Sequence, residues 1–226
     1  MPKKSTILIV DDHPLLRRGI SHLINAEPDL RVCGEAEDAH QGLEAIASLK
    51  PDLAIVDISL KDTNGLELIK NIKIRYPKLP ILVLSMFDES LYAERVLRAG
   101  AKGYMMKQEA SEKVVIAIRR LLKDEIFLSD AMASKVLNRV AGKKPKGESA
   151  VEVLSDRELE VFQLIGQGLG TRQIAKRLQR SIKTIESYRA HIKEKMSFQS
   201  GAEIVHHAID MFKEHSYNKP VGSGQN

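Results

Sequence analysis

The 226-residue chain has one cysteine, no long uncharged apolar run and no internal repeat. A single cysteine excludes an intramolecular disulfide. Cys33, between Val32 and Gly34, is expected to be a small core residue rather than a reactive thiol. The missing apolar run excludes a membrane-spanning helix, which needs about 20 such residues. The opening Met-Pro-Lys-Lys-Ser-Thr leads into an apolar stretch too short for a signal-peptide core. A cytoplasmic chain with no membrane partner is expected. Its residues are 43% hydrophobic and 29% charged, which suits two small soluble domains.

Charge is unevenly spread. The net charge is +5, yet residues 172–195 hold Arg172, Lys176, Arg177, Arg180, Lys183, Arg189, Lys193 and Lys195 against Glu186 and Glu194. That stretch exceeds the net charge of the whole chain, so the remainder is near neutral. A local basic cluster is the footprint of a phosphate-binding surface, although a solvated helix face has the same composition.

Residues 5–123 alternate short apolar runs with segments of helical period. The runs are Ile7-Leu8-Ile9-Val10, Leu30-Arg31-Val32-Cys33, Leu53-Ala54-Ile55-Val56, Ile81-Leu82-Val83-Leu84 and a weaker Gly103-Tyr104-Met105-Met106. Lacking polar alternation, they read as parallel strands buried on both faces. Helical patterns fall at about 14–26, 39–49, 64–75, 89–99 and 110–123, the third with Asn64 as its N-cap. Five such units predict an α/β domain with a doubly wound five-stranded parallel sheet and right-handed crossovers.

The pattern changes after residue 123. A short helix is expected near 129–140 behind Ser129, followed by a flexible linker, Ala-Gly-Lys-Lys-Pro-Lys-Gly-Glu-Ser. Residues 151–214 have no strand pattern. Ser155-Asp156-Arg157-Glu158 is a capping box, and Gly166 and Gly168 end the helix it opens. Thr171 and Ser181 are the expected caps of the next two helices, and a fourth follows Ser200-Gly201. This half predicts a smaller all-α domain. Helices joined near Gln179-Arg180-Ser181 make a helix-turn-helix candidate over a core of Ile174, Ala175, Leu178, Ile182, Ile185 and Ile192. A protein-binding helical bundle has the same periodicity, so the pattern leaves both readings open. The last helix presents Ala202, Val205, Ile209 and Phe212, some for the core and some for a second copy. The tail at 215–226 is expected to fray. The expected division is therefore 1–123, a linker at 124–150, 151–214 and the tail.

Residues with chemistry sit where the strands of the first half stop. The first strand ends in Asp11-Asp12, the third in Asp57, the fourth in Ser85 and the fifth just before Lys107. In an open parallel sheet these project from one carboxyl edge, where ligands bind. With the flavodoxin-like strand order 2-1-3-4-5, Asp11, Asp12 and Asp57 converge. Three carboxylates repel unless a cation sits among them or one is protonated, and oxygen-only ligation suits Mg²⁺. A carboxylate beside Mg²⁺ can attack phosphorus, with Lys107 and Ser85 ready to meet phosphoryl oxygens. The bland reading makes Asp12 an N-cap and Lys107 a surface ion-pair partner; joint placement on successive strand ends argues against it.

Residues 5–123 resemble, along their whole length, the receiver domain of two-component response regulators. The resemblance rests on Ile-Leu-Ile-Val-Asp-Asp-His, Asp-Leu-Ala-Ile-Val-Asp-Ile-Ser-Leu with the following Asn-Gly, Leu-Val-Leu-Ser-Met, and Ala-Gly-Ala-Lys-Gly-Tyr-Met-Met-Lys. It implies that Asp57 accepts a phosphoryl group from a phosphohistidine on a sensor histidine kinase. It implies Mg²⁺ ligation by Asp12, Asp57 and the Ser59 carbonyl, with Asp11 assisting. Lys107 would contact the phosphoryl group, and Ser85 would turn toward it. Tyr104 matches the aromatic switch position, its ring filling the space Ser85 leaves.

Leu-Ser-Asp-Arg-Glu-Leu-Glu-Val, Ile-Gly-Gln-Gly, Gln-Ile-Ala-Lys-Arg-Leu and Ser-Ile-Lys-Thr-Ile-Glu-Ser-Tyr-Arg are similar to LuxR-type DNA-binding domains over about 153–212. With the receiver in front, the chain resembles the NarL/LuxR class of response regulators. That places a recognition helix at about 182–196. Lys183, Thr184, Arg189 and Lys193 would hold phosphates of double-stranded DNA, and Glu186, Ser187 and Ala190 would face base edges. Many relatives carry a basic residue where Glu186 stands, and a small polar one where Gly170 stands. A homodimer on phosphorylation or DNA binding is implied. The rival from another class is a signalling adaptor whose helical half binds protein instead of operator DNA. No separate catalytic constellation for a metabolite is evident, so an enzyme limited to its own phosphorylation and slow dephosphorylation is the most this site offers.

Overall fold

A computed structural model describes residues 4–60, 64–141 and 150–217. The chain divides into two units, 1–146 and 147–226.

In the first unit, β1 (Ser5–Val10), β2 (Leu30–Ala36), β3 (Leu53–Asp57), β4 (Ile81–Ser85) and β5 (Gly103–Met106) alternate with α1 (Pro14–Asn25), α2 (Ala39–Leu49), α3 (Gly65–Arg75), α4 (Glu89–Arg98) and α5 (Ala110–Leu122). The sheet is parallel in the order β2-β1-β3-β4-β5, as the sequence predicts. Ile9 lies opposite Ile55, Val56 opposite Val83, and Val83 opposite Tyr104. One face of the sheet supplies Ile7, Ile9, Ile55, Leu82 and Leu84 to a core with Ile20 and Ile24 of α1 and Val114, Ile118 and Leu121 of α5. The alternate residues Leu8, Val10, Ala54 and Val56 are equally buried, so helices cover the other face too. There α2 comes close enough that a Cβ on Gly42 would touch Val10 at 3.1 Å. Each fully buried Ile or Leu contributes roughly 1.5–3 kcal/mol.

β2 departs from expectation. It runs on past Cys33 to Ala36 and is not buried on both faces, since Arg31 and Glu35 are exposed and Val32, Cys33 and Gly34 half-buried. It is an edge strand with β1 on one side only. The β1 register skips Cys33, a bulge at which its thiol lies 3.5 Å from the Ile7 carbonyl. The Asn64 cap of α3 is present, its side chain accepting from Leu66 N at 2.9 Å. Asp12 caps nothing: His13 is the N-cap residue of α1, without a side-chain bond.

The outer edge of β5 is covered by the chain that follows α5. Phe127 bridges Gly103, taking a bond from Tyr104 N (2.9 Å) and donating to Lys102 O (3.0 Å). Next, α6 (Asp130–Val140) packs beside α4, with Met132 buried. Ser129 caps it, accepting from Met132 N at 3.2 Å, and Ser129 N donates to Glu89 at 3.0 Å. Most of the flexible stretch expected next, 142–149, lies outside the described residues.

The second unit opens with a 3-10 turn, Ala150–Val153, then α7 (Asp156–Gly166), α8 (Thr171–Arg177), α9 (Ile182–Lys195) and α10 (Gly201–Tyr217). The Ser155 capping box forms both ways. Gly168 takes a positive φ of 84° and closes α7. Thr171 is not the cap of α8. Gly170 is, and its N–H donates to the Gln173 side chain at 2.8 Å, so a residue without a side chain is served by one three positions on. Leu159, Phe162, Ile174, Ala175, Leu178, Ile185, Ile192, Ile204 and Ala208 are buried. Ile182, expected among them, is 45% exposed because it opens α9 ahead of the turn that packs inward. Ala202 is exposed, and Val205 and Ile209 are half-buried. The Phe212 side chain and residues 218–226 lie outside the described parts; α10 itself reaches Tyr217, three residues into the expected tail.

Candidate functional site

The strand order brings the ends of β1, β3 and β4 side by side, with the end of β5 next in line. Asp11, Asp57, Ser85 and Lys107 are all buried there, and Asp12 is partly so. Lys107 Nζ donates to Asp57 Oδ2 at 2.6 Å and lies 2.8 Å from Asp11 Oδ2. Asp57 Oδ1 accepts from Ser59 N at 3.0 Å. Ser85 Oγ accepts from Phe87 N at 3.0 Å, and the Tyr104 hydroxyl donates to the Phe87 carbonyl at 2.8 Å. The Tyr104 ring is therefore already inside, 1% exposed, and burial holds its hydroxyl far above the usual phenol range.

The electrostatics follow from burial. Desolvation pushes Asp57 up to about 6; Lys107 opposes this and Asp11 adds to it. Burial pulls Lys107 down, but Asp57 and Asp11 outweigh it and hold the ammonium above its ordinary value. A buried carboxylate that keeps its proton while the unfolded chain loses it makes stability fall as pH rises, here from about 4 to about 6. In cation-free buffer the urea midpoint of the α/β unit should show this slope, and Asp57→Asn should flatten it. An unchanged slope in the variant would assign the proton to another group.

One oxygen or nitrogen from each of Asp11, Asp12, His13 and Asp57 lies within 4.8 Å of the others. Asp11 Oδ2 and Asp12 Oδ1 are both buried, the first 2.8 Å from Lys107 Nζ and the second 2.6 Å from His13 Nδ1. Carboxylate oxygens of three residues gathered this closely fit a hard divalent cation. His13 is not among the site residues the sequence predicts, although it stands in the Asp-Asp-His run. Its Nδ1 is 2.6 Å from Asp12 Oδ1 and 3.8 Å from Asp57 Oδ2. Arg17 is a second residue that the sequence does not single out. It is a buried cation inside α1.

In the second unit, Lys183, Glu186, Ser187, Ala190 and Lys193 are exposed on α9, with Thr184 and Arg189 half-buried. Thr184 is occupied in part by the cap, its hydroxyl 2.8 Å from that of Ser181 and its N–H bonded to it at 3.0 Å. Ser187 Oγ donates back to the Lys183 carbonyl at 3.1 Å. Arg172, Lys176, Arg177 and Arg180 are exposed too. Lys195 instead turns toward the body of the domain, where it donates to the buried Glu158 of α7 at 2.7 Å. Burial raises the Glu158 pKa, yet Lys195 and the Ser155 backbone hold it below the usual range.

Fold and site define the class, an α/β domain of receiver type with an acidic pocket at its sheet edge, followed by a helix-turn-helix domain. Residues 7–119 match the response regulator receiver domain, and 152–208 match the luxR family of bacterial regulatory proteins. The chain is 33% identical over 208 residues to the oxygen regulatory protein NreC of Staphylococcus haemolyticus, covering 90% of this chain and 96% of that one. It is also similar to solved structures of the RcsB response regulator of Salmonella typhimurium. One has 28% identity and a TM-score of 0.66 over 92% of this chain and 98% of the other. Another, bound to promoter rprA with the phosphomimetic BeF3-, has 28% identity and a TM-score of 0.62 over 92% and 99%. The chain belongs to the response regulator family, in the NarL/LuxR class that joins a receiver to a LuxR-type helix-turn-helix. No helix among the described residues is long and apolar enough to cross a membrane.

Proposed function

We propose that this cytoplasmic protein is a transcription regulator switched by phosphoryl transfer from a sensor histidine kinase to Asp57. The proposed organisation is a receiver at 1–123, a linker at 124–150, a DNA-binding domain at 151–214 and a tail at 215–226. The observation that carries the reading is the buried Asp11–Asp57–Lys107 cluster at the carboxyl edge of a sheet, on the same chain as an exposed basic helix.

Asp57 attacks phosphorus, the phosphorus–nitrogen bond of the phosphohistidine breaks, and the imidazole leaves. Asp11, Asp12, Asp57 and the Ser59 carbonyl would hold Mg²⁺, which supplies positive charge against the phosphoryl oxygens. Lys107 moves from the Asp57 carboxylate to a phosphoryl oxygen. Ser85 gives up Phe87 N to donate to another, and that loosens the Phe87 carbonyl held by Tyr104. Glu89 follows Phe87 by two residues and holds Ser129; Tyr104 N holds Phe127. The linker is thus bonded to both elements that the switch disturbs. The trigger in this reading is the addition of about −1.5 to −2 charges at this edge. The site works on its own phosphoryl group, with transfer from a donor and slow hydrolysis, and turns over no metabolite.

On the DNA side, Lys183, Thr184, Arg189 and Lys193 meet phosphates of the duplex, and Glu186, Ser187 and Ala190 face base edges. RcsB has been solved as dimers on DNA, and a homodimer is proposed here as well. Three basic phosphate contacts in each of two protomers predict that affinity falls roughly 10³-fold between about 50 and 200 mM salt. Fluorescence anisotropy on an operator fragment, with and without an acyl-phosphate donor, measures this. Tighter binding after phosphorylation and the steep salt slope are expected. Weak, salt-insensitive binding without sequence preference would instead make the helical half a protein-binding module.

A further inference from the structure

Arg17 lies in the first turn of α1 and is 7% exposed. A buried guanidinium is strongly unfavourable unless it is paired and hydrogen-bonded throughout. Here each of its three nitrogens donates to a partner. Nε donates to Glu35 Oε2 at 2.9 Å, one terminal nitrogen to Glu37 Oε1 at 3.0 Å, and the other to the Asp11 carbonyl at 2.5 Å. Ser21 anchors Glu35 from the far side at 2.6 Å.

The contact with Asp11 bears on the site. Asp11 N donates to the Ala36 carbonyl at 3.1 Å, and Asp11 Oδ1 accepts from His13 N at 2.8 Å. Arg17 takes the carbonyl. What is left is Oδ2, buried and facing the site, 2.8 Å from Lys107 Nζ. The carbonyl of Asp11 and the N–H of Asp12 belong to one planar peptide. Whatever holds that carbonyl also sets how the two acidic residues are turned relative to each other. Glu35 and Glu37 offset the guanidinium charge, so the geometric effect is separable from repulsion of a cation.

We propose that Arg17 is a positioning residue for the phosphoryl-accepting site: through the Asp11 carbonyl it orients the Asp11–Asp12 peptide, and so the carboxylates that face the cation. The inference rests on reading Asp11, Asp12 and Asp57 as a divalent-cation site.

The test uses the full-length protein, with Mn²⁺ as the probe and its free-ion paramagnetic resonance signal as the readout. Arg17→Lys keeps a charge between Glu35 and Glu37 but loses the planar fork that reaches three acceptors. Mn²⁺ affinity is expected to fall about tenfold, as for other residues that orient metal ligands. Glu37→Gln is the control, since Glu37 meets the exposed side of the fork: the unfolding midpoint drops and Mn²⁺ affinity holds. If Arg17→Lys does not fold, Glu35→Gln replaces it, loosening the guanidinium from its inner anchor with a smaller loss of affinity. Wild-type affinity in Arg17→Lys, or in Glu35→Gln where that is the variant used, overturns the proposal; so does a Glu37→Gln loss as large as that of Arg17→Lys. Wild-type protein that binds no Mn²⁺ overturns the cation-site reading and this proposal with it.

Discussion

Asp57→Asn takes up no label from a radioactive acyl-phosphate donor, while the folded receiver persists. The amide oxygen still accepts from Ser59 N, which holds the wild-type carboxylate at 3.0 Å, and the side chain keeps its volume in a fully packed place. Lys107 keeps Asp11 2.8 Å away. What is lost is the nucleophile, because an amide oxygen does not form a stable acyl phosphate. The expected size is loss of labelling to background, not a partial decrease. Intact mass measured after incubation with donor and Mg²⁺ checks it. Label persisting in the variant would move the acceptor elsewhere, first to the less buried Asp12. In Asp57→Asn, DNA affinity should no longer respond to the donor.

Gly65→Ala is expected to destabilise the first unit by about 3 kcal/mol or more and to abolish labelling. Gly65 opens α3, and its N–H donates to the Ile58 carbonyl at 2.8 Å. A Cβ there would overlap the Asp57 carbonyl oxygen and lie 2.7 Å from Ile58 Cα. Both neighbours are backbone and cannot swing aside, so either α3 or the end of β3 must move, and the end of β3 carries the acceptor. Gly19→Ala is the contrasting case. Gly19 lies inside α1 with nothing within 4 Å of an added Cβ. There alanine should stabilise by about 0.5–1 kcal/mol, through helix propensity alone. Urea midpoints of the two variants should move in opposite directions; equal shifts would refute the steric account.

The strands and the pocket are legible because a parallel sheet writes them into local sequence. Each strand buried on both faces is an unbroken apolar run, and each run stops where the chemistry begins: Val10 before Asp11, Val56 before Asp57, Leu84 before Ser85. The pattern makes β2 too short because an edge strand needs only one buried face, and Glu35 looks like the start of a loop. Residue type points to Thr171 as a cap, but the backbone turns one residue earlier, at Gly170. Spacing puts Ile182 in the core, yet spacing does not reveal where a helix leaves the hydrophobic surface.

Residue order alone determined the fold class, the strand order through a match to a familiar pattern, and the placing of Asp11, Asp12, Asp57, Ser85 and Lys107 at one edge. Periodicity and chain connectivity suffice for that, since both are properties of neighbouring residues. The tertiary structure decided which side chains fill the space between those elements. His13 turning into the carboxylates, Arg17 reaching the Asp11 carbonyl and Phe127 pairing with Tyr104 join residues by contacts that no local pattern encodes. Such pairings depend on how whole strands and helices lie against one another, and burial then makes each of them count, because a charge or an amide shut away from water must find its partner there.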